Sequence, residues 1–170
     1  YPERPAEAAG NEVLAGADGW VRRVETMVEP NFLKSDAVRI CTFLTPFDVH
    51  VNRAPIGGEV TALAYTPGRH FLTIRQAASE YNEHSSILIE GQGTKCLVKQ
   101  IVGPIVRRVV YWLQEGQALG RGERIVLRGA KGQRSQAGMA GPLPAGRVCV
   151  EGSQLPCSKH ALATMLAAGV

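Results

Sequence analysis

Four polar side chains stand close together in the stretch FDVHVNRAP, at Asp48, His50, Asn52 and Arg53. In an extended chain every second side chain points to the same face, at intervals of about 7 Å, so the first three would form one row. Histidine changes its charge near neutral pH, and it can therefore accept a proton from a nucleophile. Such a row is typical of a catalytic or ligand-binding centre, and equally of a solvent-exposed strand face.

Upstream of this stretch, the sequence GADG is typical of a turn. Aspartate is common in turns, and Asp18 lies between Ala17 and Gly19, so the residues alone favour a structural role for it.

The other histidines and the cysteines do not form a metal-binding pattern. His70, His84 and His160 have no ligand-like spacing with His50, so no metal site is predicted. The cysteines contain no CxxC pair, which favours free thiols in a reducing compartment. They are Cys41, Cys96, Cys149 and Cys157.

The bulk composition indicates one soluble domain of 170 residues. A net charge of +4 and an aromatic content of 6% are too low for the basic, aromatic-rich surface of a nucleic-acid-binding protein. No apolar run approaches the roughly 20 residues of a membrane-crossing helix, and no signal peptide is recognisable. Because the chain begins at Tyr1 rather than methionine, a preceding segment is left open.

The elements that must position these residues are predicted to be mostly strands. We expect a mainly β (α+β) fold: a compact antiparallel sheet domain with one or two packed helices. Helical spacing of apolar residues from Val102 to Leu113 predicts one helix, although its β-branched content favours a strand. Strands are predicted in VLAGADGWVRRVETMVE, AVRICTFLTPF, IGGEVTALAY, SSILIEGQGTKCLVKQIV and RVCVEG, and further helices in LTIRQAASEYNEHS and SKHALATMLAAGV.

Six stretches together resemble the short, archaeal-type phosphatidylserine decarboxylases, in the order and approximate spacing of that family. The resemblance extends from about Val13 to Ile125 and implies a core over residues 1–125, followed by an atypical segment over residues 126–170. The stretches are VLAGADGWV, FLTPFDVHVNRAPIGGEV, YTPGRHF, ASEYNEHS, QIVGPIVRRVV and GQALGRGER.

The resemblance implies a proenzyme that cleaves its own chain. Asp18 and His50 match the family's Asp and His, which act with a Ser as a serine-protease triad does. The Ser attacks the carbonyl of the preceding Gly, and the new amino terminus becomes a covalent pyruvoyl cofactor. This group serves as the electron sink when phosphatidylserine loses carbon dioxide to give phosphatidylethanolamine. Asn52 and Arg53 are expected to contact the phospholipid substrate.

The implied partners are the phospholipid and a membrane surface. We therefore expect peripheral attachment on the cytoplasmic side of the cell membrane and no nucleic-acid partner. A homo-oligomer is left open.

The sequence departs from the family's pattern where the processing serine should stand. If the stretch KGQR occupies that place, Gln133 replaces the serine, and a glutamine side chain has no nucleophilic hydroxyl. The Gly-Ser pair of the chain is Gly152–Ser153, about twenty residues later. Three interpretations are open: a non-catalytic lipid- or partner-binding pseudoenzyme on the same scaffold, a reading frame shifted near residue 126, or processing at an unusual site such as Ser153.

Overall fold

The computed structural model describes residues 12–45, 48–71, 78–91, 93–104, 109–128, 148–153 and 165–166. Within these ranges the chain forms twelve strands and a single helix of four residues. The strands in chain order are β1 (Glu12–Val13), β2 (Trp20–Glu29), β3 (Ser35–Phe43), β4 (Val51–Arg53), β5 (Gly58–Thr66), β6 (His84–Gly91), β7 (Thr94–Ile101), β8 (Val109–Tyr111), β9 (Ala118–Leu119), β10 (Arg124–Arg128), β11 (Val148–Ser153) and β12 (Met165–Leu166), and the helix is α1 (Ala78–Tyr81).

The larger sheet has seven strands in the order β2–β3–β11–β7–β6–β5–β9. Its pairs β2–β3, β5–β6 and β6–β7 are antiparallel, as the alternating sequence patterns predict. β11 is the exception, because it runs parallel to both of its neighbours, β3 and β7. The sheet is therefore mixed at this one position, where a purely antiparallel arrangement was expected.

A smaller, antiparallel sheet has the order β4–β10–β8. The main hydrophobic core lies between the two sheets: Ala54 and Ile125 from the small sheet pack with Ile87 and Val98 of the large one. A second apolar cluster that includes Leu88 covers the opposite face of the large sheet. Because β6 and β7 are buried on both faces, their sequences are almost continuously apolar rather than alternating.

The turn between β2 and β3 is closed by a buried carboxylate. Glu29 is 6% exposed and accepts hydrogen bonds from the backbone N–H groups of Asn31, Phe32 and Leu33, at 3.1, 2.7 and 2.6 Å. Three donors that would otherwise lack partners in a tight turn are satisfied by one side chain. The hairpin is thereby fixed at its outer end.

The helix predicted from Val102 to Leu113 is wrong over the described part of that segment. Val109–Tyr111 forms β8, paired with β10, while residues 105–108 lie outside the described ranges. The β-branched valines favour the extended chain, and pairing with β10 satisfies the backbone.

Other helix predictions have mixed outcomes. Only the four residues of α1 are helical in the described part of LTIRQAASEYNEHS, and the one or two packed helices expected of the fold are not seen within the described ranges. In the segment predicted as a terminal helix, the two described residues form β12, which pairs with β1. The strand predicted in RVCVEG is confirmed as β11. Across the described ranges, no helix has the length and apolar character needed to cross a membrane.

Candidate active site

The segment that leads into Asp18 pairs with β4. The backbone N–H of Arg53 donates to the carbonyl of Gly16 over 2.9 Å, and Ala17 forms an antiparallel bridge with Asn52. Asp18 follows Ala17 directly and lies half-buried in a bend of the chain. Its backbone is therefore held beside the short strand that carries the central residues of FDVHVNRAP.

His50 stands at the same end of this pairing. It precedes Asn52 by two residues, and Asp18 follows the residue that lies opposite Asn52, so the backbones of Asp18 and His50 lie at the same end of β4. Both ring nitrogens of His50 are shielded from solvent.

A glycine is required immediately after Asp18. A Cβ atom on Gly19 would lie only 2.3 Å from the carbonyl oxygen of Phe43 in β3. No side chain fits at that distance, so the bend that carries Asp18 can lie against β3 only because residue 19 is glycine. The sequence GADG therefore positions the acid through its glycine.

Asp48 takes no place in a row with His50. Its Oδ2 atom accepts the N–H of Thr45 over 2.6 Å, and its own N–H donates to the carbonyl of Thr45 over 3.1 Å. This side chain closes a turn ahead of β4. The simple two-residue alternation does not extend back to Asp48, because the chain bends there.

The two residues predicted to bind substrate differ in their surroundings. Asn52 is 3% exposed and its Oδ1 atom has no hydrogen-bond partner within the described ranges. Arg53 uses Nη1 to donate to the carbonyl of Gly122 over 3.0 Å. One of its guanidinium donors thus connects β4 to the turn that precedes β10.

β10 ends near the position of His50. In the antiparallel pairing Val126 lies opposite Asn52 and Leu127 opposite Val51, so the described part of β10 ends, at Arg128, at the end of β4 that His50 precedes. Gln133, which replaces the expected serine, lies outside the described ranges.

The Gly152–Ser153 pair is the end of β11. Ser153 lies opposite Phe43 in β3, and Phe43 in turn lies opposite Trp20 in β2, two residues after Asp18. β3 thus lies between the Gly152–Ser153 pair and β2, the strand that begins two residues after Asp18.

Three polar residues near this site were not singled out from the sequence. Ser85 and Gln100 have no solvent exposure, and the Ser85 hydroxyl donates to Oε1 of Gln100 over 3.4 Å. Tyr111 packs against the same core, and its burial raises the pKa of its phenol. The available signal was a serine and a glutamine within strands that are otherwise almost wholly apolar.

No metal site accompanies these residues: within the described part of the chain, no group of three or more His, Cys, Asp or Glu side chains is placed to hold a metal ion. The described part of the site thus contains a shielded histidine, an aspartate whose backbone lies at the same end of β4, and a strand that ends there.

Comparison with known proteins identifies the family. The family model described as phosphatidylserine decarboxylase matches residues 1–128, and the chain belongs to this family. A phosphatidylserine decarboxylase proenzyme of Salinibacter ruber is 42% identical over 126 residues, which cover 72% of this chain and 56% of the relative. The proenzymes of Symbiobacterium thermophilum and Desulfotalea psychrophila are 39% and 35% identical over 127 residues, 74% of this chain and 59% of each relative. The chain thus spans less than three fifths of the length of these relatives.

Proposed function

We propose that this chain is a self-processing phosphatidylserine decarboxylase, a carboxy-lyase that converts phosphatidylserine to phosphatidylethanolamine. The observation that carries the proposal is the convergence of Asp18, His50 and the end of β10 in a member of this family. The relatives are named as proenzymes, which supports maturation by cleavage of the chain.

In the processing step we assign His50 as the general base and Asp18 as the residue that orients it. His50 takes the proton of a serine hydroxyl, whose oxygen attacks the carbonyl of the preceding residue. The peptide nitrogen leaves with the proton from His50, and an ester joins the two parts. Elimination breaks the ester, and hydrolysis of the resulting dehydroalanine releases ammonia and leaves the pyruvoyl terminus.

The described residues fit a pyruvoyl group held near the end of β10. This end is adjacent to Asn52, whose buried Oδ1 atom has no partner within the described ranges and is available for a ligand donor. The pyruvoyl carbonyl, once formed, withdraws the electrons released as carbon dioxide leaves. Asn52 then positions the substrate, and Arg53 supplies positive charge beside the phosphate.

We propose further that the protein works peripherally at the cytoplasmic face of the cell membrane. Large aromatic side chains are exposed outside the core: Trp112 is 70%, Tyr81 61% and Phe71 45% exposed. Such side chains favour the interface between lipid and water. The guanidinium of Arg69 lies 5.4 Å from the centre of the Phe71 ring and adds a positive group for anionic lipid.

Intact-mass analysis tests the proposal. The processed enzyme is two chains, the smaller with a blocked pyruvoyl terminus, and it releases carbon dioxide from phosphatidylserine vesicles. Peptide mapping of the smaller chain locates the cut and decides between Ser153, any other serine, and Ser135, which lies two residues after Gln133 but follows an arginine rather than a glycine. A single uncut chain of 18.3 kDa that releases no carbon dioxide contradicts the proposal and favours the pseudoenzyme interpretation.

A further inference from the structure

Three buried polar atoms of the core lack an internal partner. Oδ1 of Asn52, Nε2 of Gln100 and the phenolic oxygen of Tyr111 form no hydrogen bond within the described ranges, and each is shielded from solvent. Folded proteins pair nearly all such atoms, and an exception calls for an explanation such as a ligand. We name Asn52, Gln100 and Tyr111 the interior polar cluster.

On the small sheet, two members of this cluster face the core. Asn52 lies opposite Val126, and Val126 lies opposite Tyr111, so the three side chains share one face of the sheet. Tyr111 packs against the hydrophobic core between the sheets. Asn52 therefore points into the same space.

On the large sheet, Gln100 faces the same space. Gln100 in β7 pairs with Ser85 in β6, and Ser85 pairs with Tyr65 in β5. The neighbouring pair on the same face of the sheet, Ile87 and Val98, belongs to the hydrophobic core. Because Ser85 donates to Oε1 of Gln100, the amide is oriented with Nε2 left for another acceptor.

The two rows meet across the core. The pKa of Tyr65 is raised mainly by burial, further by a hydrogen bond to Glu83, and also by the neighbouring Tyr111 phenol. Tyr111 packs against the core cluster that contains Ile87 and Val98, and Gln100 follows Val98 on the same face of the large sheet, so the two rows face each other across this core. The interior polar cluster is thus one group shared between the sheets.

The chemistry of the cluster defines a complementary ligand. Gln100 and Tyr111 offer neutral N–H and O–H donors, which suit a carboxylate, while Asn52 offers an oxygen acceptor, which suits an ammonium group. A small group that carries both is an α-amino carboxylate. Neutral donors also suit decarboxylation, since a bound cation would stabilise the negative charge that the carboxylate must lose.

We propose that the interior polar cluster binds the α-amino carboxylate end of the substrate, with the carboxylate on Gln100 and Tyr111 and the amine on Asn52. This inference rests on the proposed function for the identity of the lipid. Asn52 lies opposite Val126 in β10, so the amine is held near the end of that strand, at the end of β4 that His50 precedes. The amine therefore faces the place assigned to the reactive carbonyl.

Calorimetric titration of the chain with soluble probes tests the proposal. Dihexanoyl phosphatidylserine carries the α-amino carboxylate, dihexanoyl phosphatidylethanolamine lacks the carboxylate, and L-serine separates a free amino acid from a lipid head group. We expect Gln100→Met and Tyr111→Phe each to weaken phosphatidylserine binding at least tenfold and to leave phosphatidylethanolamine binding unchanged. Ser86→Ala, a buried polar residue on the opposite face of β6, is the matched control and should bind as the original chain does.

Thermal unfolding separates this role from a structural one. Because the phenolic oxygen of Tyr111 has no partner within the described ranges, Tyr111→Phe should keep or raise Tm while it loses affinity. Gln100→Met also removes the acceptor of the Ser85 hydroxyl, so it should lower Tm as well as affinity. A lowered Tm with unchanged affinity, or equal binding of the two lipids, would overturn the proposal. If the chain binds phosphatidylserine selectively but releases no carbon dioxide, the proposed decarboxylase function is wrong and the proposed binding site stands. Binding of L-serine with the same sensitivity to both variants would support the site and identify the free amino acid as a ligand.

Discussion

Arg53 and Gly122 are joined by a hydrogen bond from Nη1 to the backbone carbonyl over 3.0 Å. The next residue continues the contact, because the N–H of Ala54 donates to the carbonyl of Glu123 over 2.8 Å. β4 is thus connected to the turn before β10 by a side chain as well as by the backbone. The strand that positions the candidate active site depends on an arginine that was first singled out for substrate binding.

Arg53→Lys tests this connection. A lysine keeps the positive charge but cannot reproduce the geometry of the guanidinium, so we expect a loss of about 1–2 kcal/mol in the free energy of unfolding. Urea denaturation measures the change. Arg23→Lys, at an exposed position of β2, is the control and should alter stability by less than about 0.5 kcal/mol. Equal stability of the two variants would show that the contact with Gly122 does not hold β4.

His50→Ala should abolish self-cleavage, since it removes the proposed general base. Removal of one member of a catalytic triad lowers the rate on the order of 10⁴-fold, so the uncut chain should persist in a time course followed by mass spectrometry. His70→Ala is the matched control, because His70 pairs with Glu83 at 3.2 Å on another part of the surface. Cleavage that continues at the normal rate in His50→Ala removes the histidine from its assigned role.

Gly19→Ala should destabilise the fold and displace Asp18. The added Cβ would lie 2.3 Å from the carbonyl oxygen of Phe43, and backbone atoms must move to relieve the overlap. We expect a cost of about 1–3 kcal/mol in denaturant unfolding. At Gly120 the nearest atom to an added Cβ is 3.5 Å away, so Gly120→Ala serves as the control. A Gly19→Ala protein as stable as this control would contradict the described approach of the bend to β3.

Stability should decline in alkaline solution because of two phenols whose pKa is raised, that of the partly buried Tyr111 and that of Tyr65, which is 41% exposed. Burial is the main factor that raises the pKa of both Tyr65 and Tyr111 above 10.0, so the folded protein retains protons that the unfolded chain releases. The stabilisation is complete below pH 10 and is lost as pH rises through the folded-state pKa. Urea titrations between pH 8 and 11 should show this fall, with a shallower slope for Tyr111→Phe. An identical slope in the variant would exclude Tyr111 as a source.

Local sequence patterns predicted most of the strands but not every element. In β6 and β7, continuous apolar runs bounded by a glycine turn identify a hairpin without further information. Val109 and Val110 show the limit of such patterns. The spacing of apolar residues around them fits a helix, but their β-branched side chains favour an extended chain, and pairing with β10 stabilises it as a strand. The parallel position of β11 had no local signal, since it depends on two strands far away in the chain.

The candidate site was only partly predictable for a related reason. Asp18 and His50 were singled out through the family resemblance, and neither residue type alone separates catalysis from a turn or an exposed strand. Gln100 and Tyr111 were missed, because their significance arises only when two sheets bring them to the same space. A buried glutamine within an apolar strand indicates a polar interior, but not which residue of another sheet faces it.

The position of β11 has a consequence for the order in which the protein assembles. β3 and β7 are each hydrogen-bonded to β11 and not to one another, so the large sheet is continuous only when residues 148–153 have been added. During synthesis on the ribosome, the β2–β3 hairpin and the β5–β6–β7 meander are complete well before that strand emerges. A chain halted at Arg128 would present two long unpaired strand edges, and such edges recruit other chains into aggregates. β11 lies outside residues 1–128, which match the family model, and by covering these two edges it protects the matching part of the chain from aggregation.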